Sequence, residues 1–108
     1  MSAPFVTTLR TRGESIRLAP AGASEVMTIR VEIPEVWDVV RIEAAPSETV
    51  LGVKVAALAA LVPGADHRRY VMKLRGFEVL DEHQTLVGAG AVDGSIFLLT
   101  HRRRRPVR

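Results

Sequence analysis

Met27-Thr28-Ile29-Arg30-Val31-Glu32-Ile33 alternates apolar and polar side chains without a break. A period of two rich in β-branched residues reads as a half-buried strand, with Met27, Ile29, Val31 and Ile33 on one face and Thr28, Arg30 and Glu32 on the other. Residues 39–44 repeat the pattern, with Val40, Ile42 and Ala44 inward and Arg41 and Glu43 outward. Residues 34–38 then join the two strands as a hairpin.

Downstream, Pro46-Ser47-Glu48-Thr49 reads as a helix start. Proline keeps the preceding residue extended, Ser47 or Thr49 can cap free amides, and Glu48 suits the positive end of the helix dipole. The helix is expected to run to about residue 62, where Pro63-Gly64 stops it. Its core stripe is expected to be Val50, Val53, Ala57 and Leu61. Tyr70, Met72 and Leu74 alternate with Val71 and Lys73 in a further strand that Gly76 breaks. Residues 77–80 form a short return strand, and Val92-Asp93-Gly94 turns into a last strand at 95–100. One helix on one face of a mixed sheet of four to five strands is an α+β arrangement.

This succession resembles ubiquitin and its β-grasp relatives over residues 27–100. The most specific pieces are Pro46-Ser47-Glu48-Thr49-Val50 with Val53-Lys54, and Thr85-Leu86 followed by Val92-Asp93-Gly94-Ser95. The resemblance implies three parts. Residues 1–25 are an N-terminal extension, flexible or loosely docked; 26–100 are the ubiquitin-like domain; 101–108 are an arginine-rich tail. Met27 falls where ubiquitin begins, which makes it an alternative start to Met1. Conjugated members of the family, and sulfur carriers of the same fold, act through a terminal pair of glycines. Here Arg104 and Arg105 stand about where those glycines would be, and no glycine follows Gly94. The resemblance therefore implies a noncovalent role. It is similar in this respect to the bacterial ubiquitin-like proteins of the YukD/EsaB kind. Two alternatives are a diverged modifier of a bacterial conjugation pathway, and a regulatory subunit of a larger enzyme or secretion complex.

Composition narrows the chemistry. The net charge of +3 hides a division: residues 26–100 hold seven Lys and Arg against ten Asp and Glu, whereas 101–108 hold five Arg and no acid. A mildly acidic body argues against nucleic-acid binding by the folded part. Cysteine is absent, which excludes disulfides, thiolate metal sites and cysteine nucleophiles. His67, His83 and His101 lack ligand spacing, and Glu78, Asp81 and Glu82 read as solvated charge. No catalytic residue, metal site or cofactor is expected, and the protein reads as a non-enzyme. With no secretory h-region and no membrane-length apolar run, a cytoplasmic location is the expectation.

The function left is binding a protein partner. Family members commonly dock partners on the outer face of the strands corresponding to 70–74 and 95–100, which by alignment implicates Val71, Lys73, Arg75, Phe97 and Leu99. The alternation agrees if Ile96 and Leu98 face the helix. Val36 and Trp37 lie near the first hairpin tip, where Trp37 is either a binding anchor or a lid over the sheet edge. The helix VLGVKVAALAALV is apolar nearly all round, leaving Leu51, Val55, Leu58 and Val62 outside its core stripe. Either the N-terminal arm or a second molecule is expected to cover them, so self-association through this face is a candidate. Arg102, Arg103, Arg104 and Arg105 form an electrostatic tail, which docks an acidic protein or contacts nucleic acid or anionic membrane only nonspecifically.

Overall fold

The computed structural model describes residues 15–20 and 22–102. Six strands and one α-helix follow the chain as β1 (Ser15–Arg17), β2 (Met27–Ile33), β3 (Asp38–Ala44), α1 (Val50–Leu61), β4 (Tyr70–Leu74), β5 (Phe77–Glu78) and β6 (Ile96–His101). They form a single sheet in the order β1-β3-β2-β6-β4-β5. β2 and β3 are an antiparallel hairpin, β2 and β6 run parallel at the centre, and β4 pairs antiparallel with both β6 and β5. The sheet is mixed, as the reading above requires. Its extra member is β1, which lies parallel to β3 with Ile16 opposite Ile42. Part of the N-terminal extension thus closes one edge of the sheet. The backbone N–H of Leu18 donates to Glu43 O at 2.8 Å, and Arg17 pairs with the Glu43 carboxylate at 3.1 Å.

The core lies between the helix and one face of the sheet. Ile29, Val31 and Ile33 of β2 are fully buried, joined by Val40, Ile42 and Ala44 of β3 and by Met72 and Leu74 of β4. Each large aliphatic side chain withdrawn from water contributes about 1.5–3 kcal/mol before conformational entropy is subtracted. Helix entry follows the expected chemistry: Thr49 is the cap, its Oγ1 accepting from the Gly52 N–H at 3.0 Å. The turn between β4 and β5 uses Arg75 and Gly76, both with positive φ (54° and 85°). Two consecutive left-handed residues match the twist of a tight hairpin.

Two side-chain assignments are corrected. In β6 the inward residues are Phe97 and Leu99, both 0% exposed, whereas Ile96 is 45% exposed. Ile96-Phe97-Leu98-Leu99 is apolar at every position, so its own alternation cannot choose a face. The neighbours choose it: Phe97 lies opposite Val31 of β2 and Leu74 of β4, and Leu99 lies opposite Met72. Those partners already point to the core, and cross-strand partners share a face.

The second correction concerns α1. Its buried stripe is Val50, Val53, Lys54, Ala57 and Leu58, with Leu61 half-buried. Leu58 therefore belongs to the core and not to an outer stripe. Of the other three, Leu51 and Val62 are half-buried and only Val55 is exposed. The segment after β5 accounts for part of this cover, because it bonds to the first turn: Val50 N–H donates to Gln84 O and Leu51 N–H to Glu82 O.

Acidic or truncating changes at Phe97 and Leu99 are consequently core lesions. Phe97→Ala should cost about 3–5 kcal/mol in urea unfolding, while Ile96→Ala on the same strand should stay within about 0.5 kcal/mol. Equal losses at both positions would contradict this facing of β6.

Candidate interaction surface

The face of the sheet opposite the helix is built by the residues that the core rejects. On β6 these are Ile96, Leu98 and Thr100, and on β4 they are Val71 and Lys73. Register sets Leu98 between Lys73 of β4 and Glu32 of β2, Ile96 beside Arg30, and Thr100 beside Val71. Leu98 is thus an aliphatic side chain flanked by an acid and a base.

Toward the β6 C-terminal end this face sinks into a hollow of about 970 Å³. Val71 and Thr100 lie among its lining residues with Lys73, and the rim is formed by Glu35, Arg69, Glu78, His101 and Arg102. Local hydrogen bonds fix that rim. Glu35, in the 3-10 turn Pro34–Val36, accepts from the His101 backbone N–H at 3.0 Å. The Arg102 N–H donates to Arg69 O at 2.6 Å, and its side chain reaches Arg68 O at 3.3 Å and the Glu78 carboxylate at 3.9 Å. Tyr70 meets His101 edge to face, ring centroids 4.9 Å apart. A further acid nearby is paired as well: Asp66 caps the 3-10 turn His67–Arg69 and binds the Arg68 guanidinium at 3.1 Å. The hydrogen bond from the Arg68 side chain, then that from its backbone, holds the Asp66 carboxyl below its ordinary value.

The residues expected at the site are dispersed by the fold. Lys73 is on the outer face and half-buried; Val71 shares that side of β4 but is only 6% exposed. Phe97 and Leu99 are not on that face; their places are taken by Ile96, Leu98 and Thr100. Arg75 sits in the β4–β5 turn, where it donates to Gly90 O at 3.1 Å. Val36 and Trp37 stand at the hairpin tip, with Trp37 90% exposed and in the left-handed conformation (φ 52°). Among the described residues nothing folds Trp37 over the sheet edge, so the lid placement does not occur there. Arg102 is anchored as above; Arg103, Arg104 and Arg105 lie outside the described residues.

A further feature overturns the reading of Glu82 as solvated charge. Lys54 is 1% exposed inside the helix–sheet layer, and its Nζ donates to both Glu82 carboxylate oxygens at 2.8 Å and to Tyr70 O at 2.8 Å. The pair lies 28 residues apart in sequence, so local pattern could not reveal it. The one signal was Lys54 itself, a lone charge in an apolar helix. Phe77 and Leu80, both strongly exposed around β5, were also not singled out.

The comparisons with known proteins agree with this geometry. No protein-family model matches the chain, and no curated protein matches it. Solved structures do. The C-terminal ubiquitin-like domain of mouse tubulin-specific chaperone e superposes with a TM-score of 0.65 at 16% identity, over 82% of this chain and all of that domain (100%). Ubiquitin of Caldiarchaeum subterraneum gives 0.63 at 22%, over 73% of this chain and 96% of its own. A ubiquitin-like protein from Trypanosoma brucei gives 0.61 at 25%, over 75% and 100%. The chain has a ubiquitin-like fold.

Removing Glu82 leaves a buried ammonium with only a carbonyl partner. Glu82→Ala should destabilise by about 1–3 kcal/mol, because a charged group loses its counterpart. Adding Lys54→Met in the same chain should recover most of that loss in thermal unfolding. Additive losses in the double variant would show that the two side chains do not interact.

Proposed function

We propose that the chain is a non-catalytic ubiquitin-like interaction module that holds a protein partner noncovalently on the outer face of its sheet. The observation that carries the reading is the composition of that face. Ile96 and Leu98 supply apolar area, Lys73, Arg30 and Glu32 supply a charged frame, and the hollow over Val71 and Thr100 offers depth. An apolar centre with a polar rim is what interfaces need for affinity and orientation. The ubiquitin-like domain of tubulin-specific chaperone e supports the class, since it is a ubiquitin-like domain within a chaperone. Arg104 and Arg105, standing about where conjugated relatives carry their paired glycines, support noncovalent binding over conjugation. The finer assignment, a bacterial cytoplasmic protein of the YukD/EsaB kind, belongs to the same proposal and rests on the Val92-Asp93-Gly94-Ser95 turn and on the arginines at 104 and 105. Among the described residues no helix is long and apolar enough to cross a membrane.

A second reading is favoured by α1, where Val55 is exposed between half-buried Leu51 and Val62. Those residues would be the docking face of a subunit in a larger enzyme or secretion complex, or of a second copy of the chain.

The two surfaces separate cleanly by mutation. Leu98→Asp and Ile96→Asp should abolish capture of the partner that the unaltered chain cross-links in its host, with melting temperature nearly unchanged. Val55→Asp should leave capture intact. Loss with Val55→Asp alone would move the function to the helix, and a ladder of heavier bands on a denaturing blot of the tagged full chain would establish covalent attachment instead.

A further inference from the structure

Arg30 of β2 and Arg41 of β3 are direct cross-strand partners. The Arg30 N–H donates to Ser95 O at 3.0 Å, on the β6 side, so its backbone groups point away from β3. The two arginines therefore form a non-hydrogen-bonded pair, the geometry that brings opposed Cα atoms to about 4.5 Å and their side chains closest. Parity places both on the outer face, and both are exposed. Like charges set directly opposite each other destabilise a sheet.

The acids on this face leave that repulsion standing. Glu43 is taken by Arg17 at 3.1 Å. Asp93 accepts from the Thr28 backbone N–H at 2.7 Å. Glu32 stands two residues along β2, between Val39 and Leu98. Among the described residues neither the Arg30 nor the Arg41 guanidinium makes an ion pair or a hydrogen bond. Across the strands the same row continues from Arg41 and Arg30 to Ile96, which is 45% exposed. With strands about 4.8 Å apart, the midpoint of the arginine pair lies about 7 Å from Ile96, close to the two-residue repeat of an extended chain.

We infer that Arg30 and Arg41 are a carboxylate clamp: together they hold an acidic side chain of an extended protein segment whose next same-face residue is apolar and packs on Ile96. The inference rests on the sheet-face reading above and names the chemistry of its partner. Guanidinium forks bind carboxylates through paired, charge-assisted hydrogen bonds. A carboxylate between them also cancels their mutual repulsion, so strain present in the free protein is relieved only when the site is filled. Glu32 repels an acid placed over Leu98, which fixes the order of the two side chains. A free phosphate would suit the arginines but would leave Ile96 and Leu98 without a contact.

The probes are the peptide Ser-Glu-Ser-Leu-Ser-Leu-Ser, its counterpart with glutamine in place of glutamate, and inorganic phosphate, each titrated into the isotope-labelled full chain and followed by NMR. The glutamate peptide is expected to shift the Arg30, Arg41 and Ile96 amides and to bind about tenfold more tightly than the glutamine peptide, with the difference shrinking as salt rises. Arg30→Gln with Arg41→Gln should erase that preference and raise the melting temperature at low salt by about 1–5 °C; a pair with a merely structural role would lower it on removal. Failure of the glutamate peptide to bind more tightly than the glutamine one, or shifts with phosphate alone, would overturn the clamp. Capture of the cross-linked host partner separates the two proposals. Loss with Leu98→Asp but not with the double glutamine variant would overturn the clamp alone, whereas capture that survives both variants would overturn the sheet-face reading with it.

Discussion

The strict alternation of β2 constrains its neighbours, because β2 lies with β6 at the centre of the sheet and is paired on both sides. Its inward residues Ile29, Val31 and Ile33 have no exposure at all. β3 pairs with it antiparallel and β6 pairs with it parallel, so each must place its own residues by the same parity. β4 then inherits that parity from β6. A slip of one residue in any of these pairings would turn an entire strand inside out. The partition between the core and the outer face is therefore decided once, at Met27–Ile33, and passed along.

That transmission explains which parts of the fold were legible in the sequence and which were not. β2, β3 and β4 have polar residues at alternate positions, so each declares its own faces. The helix start is equally local, since proline, a capping threonine and an acidic residue act within one turn. β6 carries no such mark in Ile96-Phe97-Leu98-Leu99, and its facing emerges only from Val31, Leu74 and Met72 across the sheet. The same holds for α1. With alanines and valines on all sides, no polar stripe separated Leu58 from Val55, and the packing of the sheet and the 81–86 segment made the separation. The site suffered accordingly: Val71 and Lys73 were legible on β4, whereas Leu98 and Ile96 were assigned to the wrong side.

Lys54 and Glu82 illustrate a different limit. Burying an ammonium costs more than a hydrogen bond returns unless a counter-charge and further acceptors meet it. Glu82 and the Tyr70 carbonyl meet that demand, and in doing so they join α1 to the loop after β5 and to the start of β4. Two apolar residues could fill the same volume. An ion pair adds direction, since only one placement of the loop brings both carboxylate oxygens to 2.8 Å. The irregular segment 81–86 has few core side chains of its own apart from Leu86, and this pair registers it against the helix together with the backbone bonds from Val50 and Leu51 to Gln84 O and Glu82 O.

Charge is sorted by the same topology. The chain's acids are spread along the body, and at the β6 end they are matched to arginines or to backbone amides. Arg68 and Arg69 come there from just before β4 and Arg102 from just after β6, and Asp66, Glu78 and Glu35 meet them in equal number. Trp37 stands at the hairpin tip tied to that end, while Ile96 and Leu98 lie farther along β6 toward its start. Strand β6 thus separates an end where charges are paired among themselves from the apolar outer residues near its start.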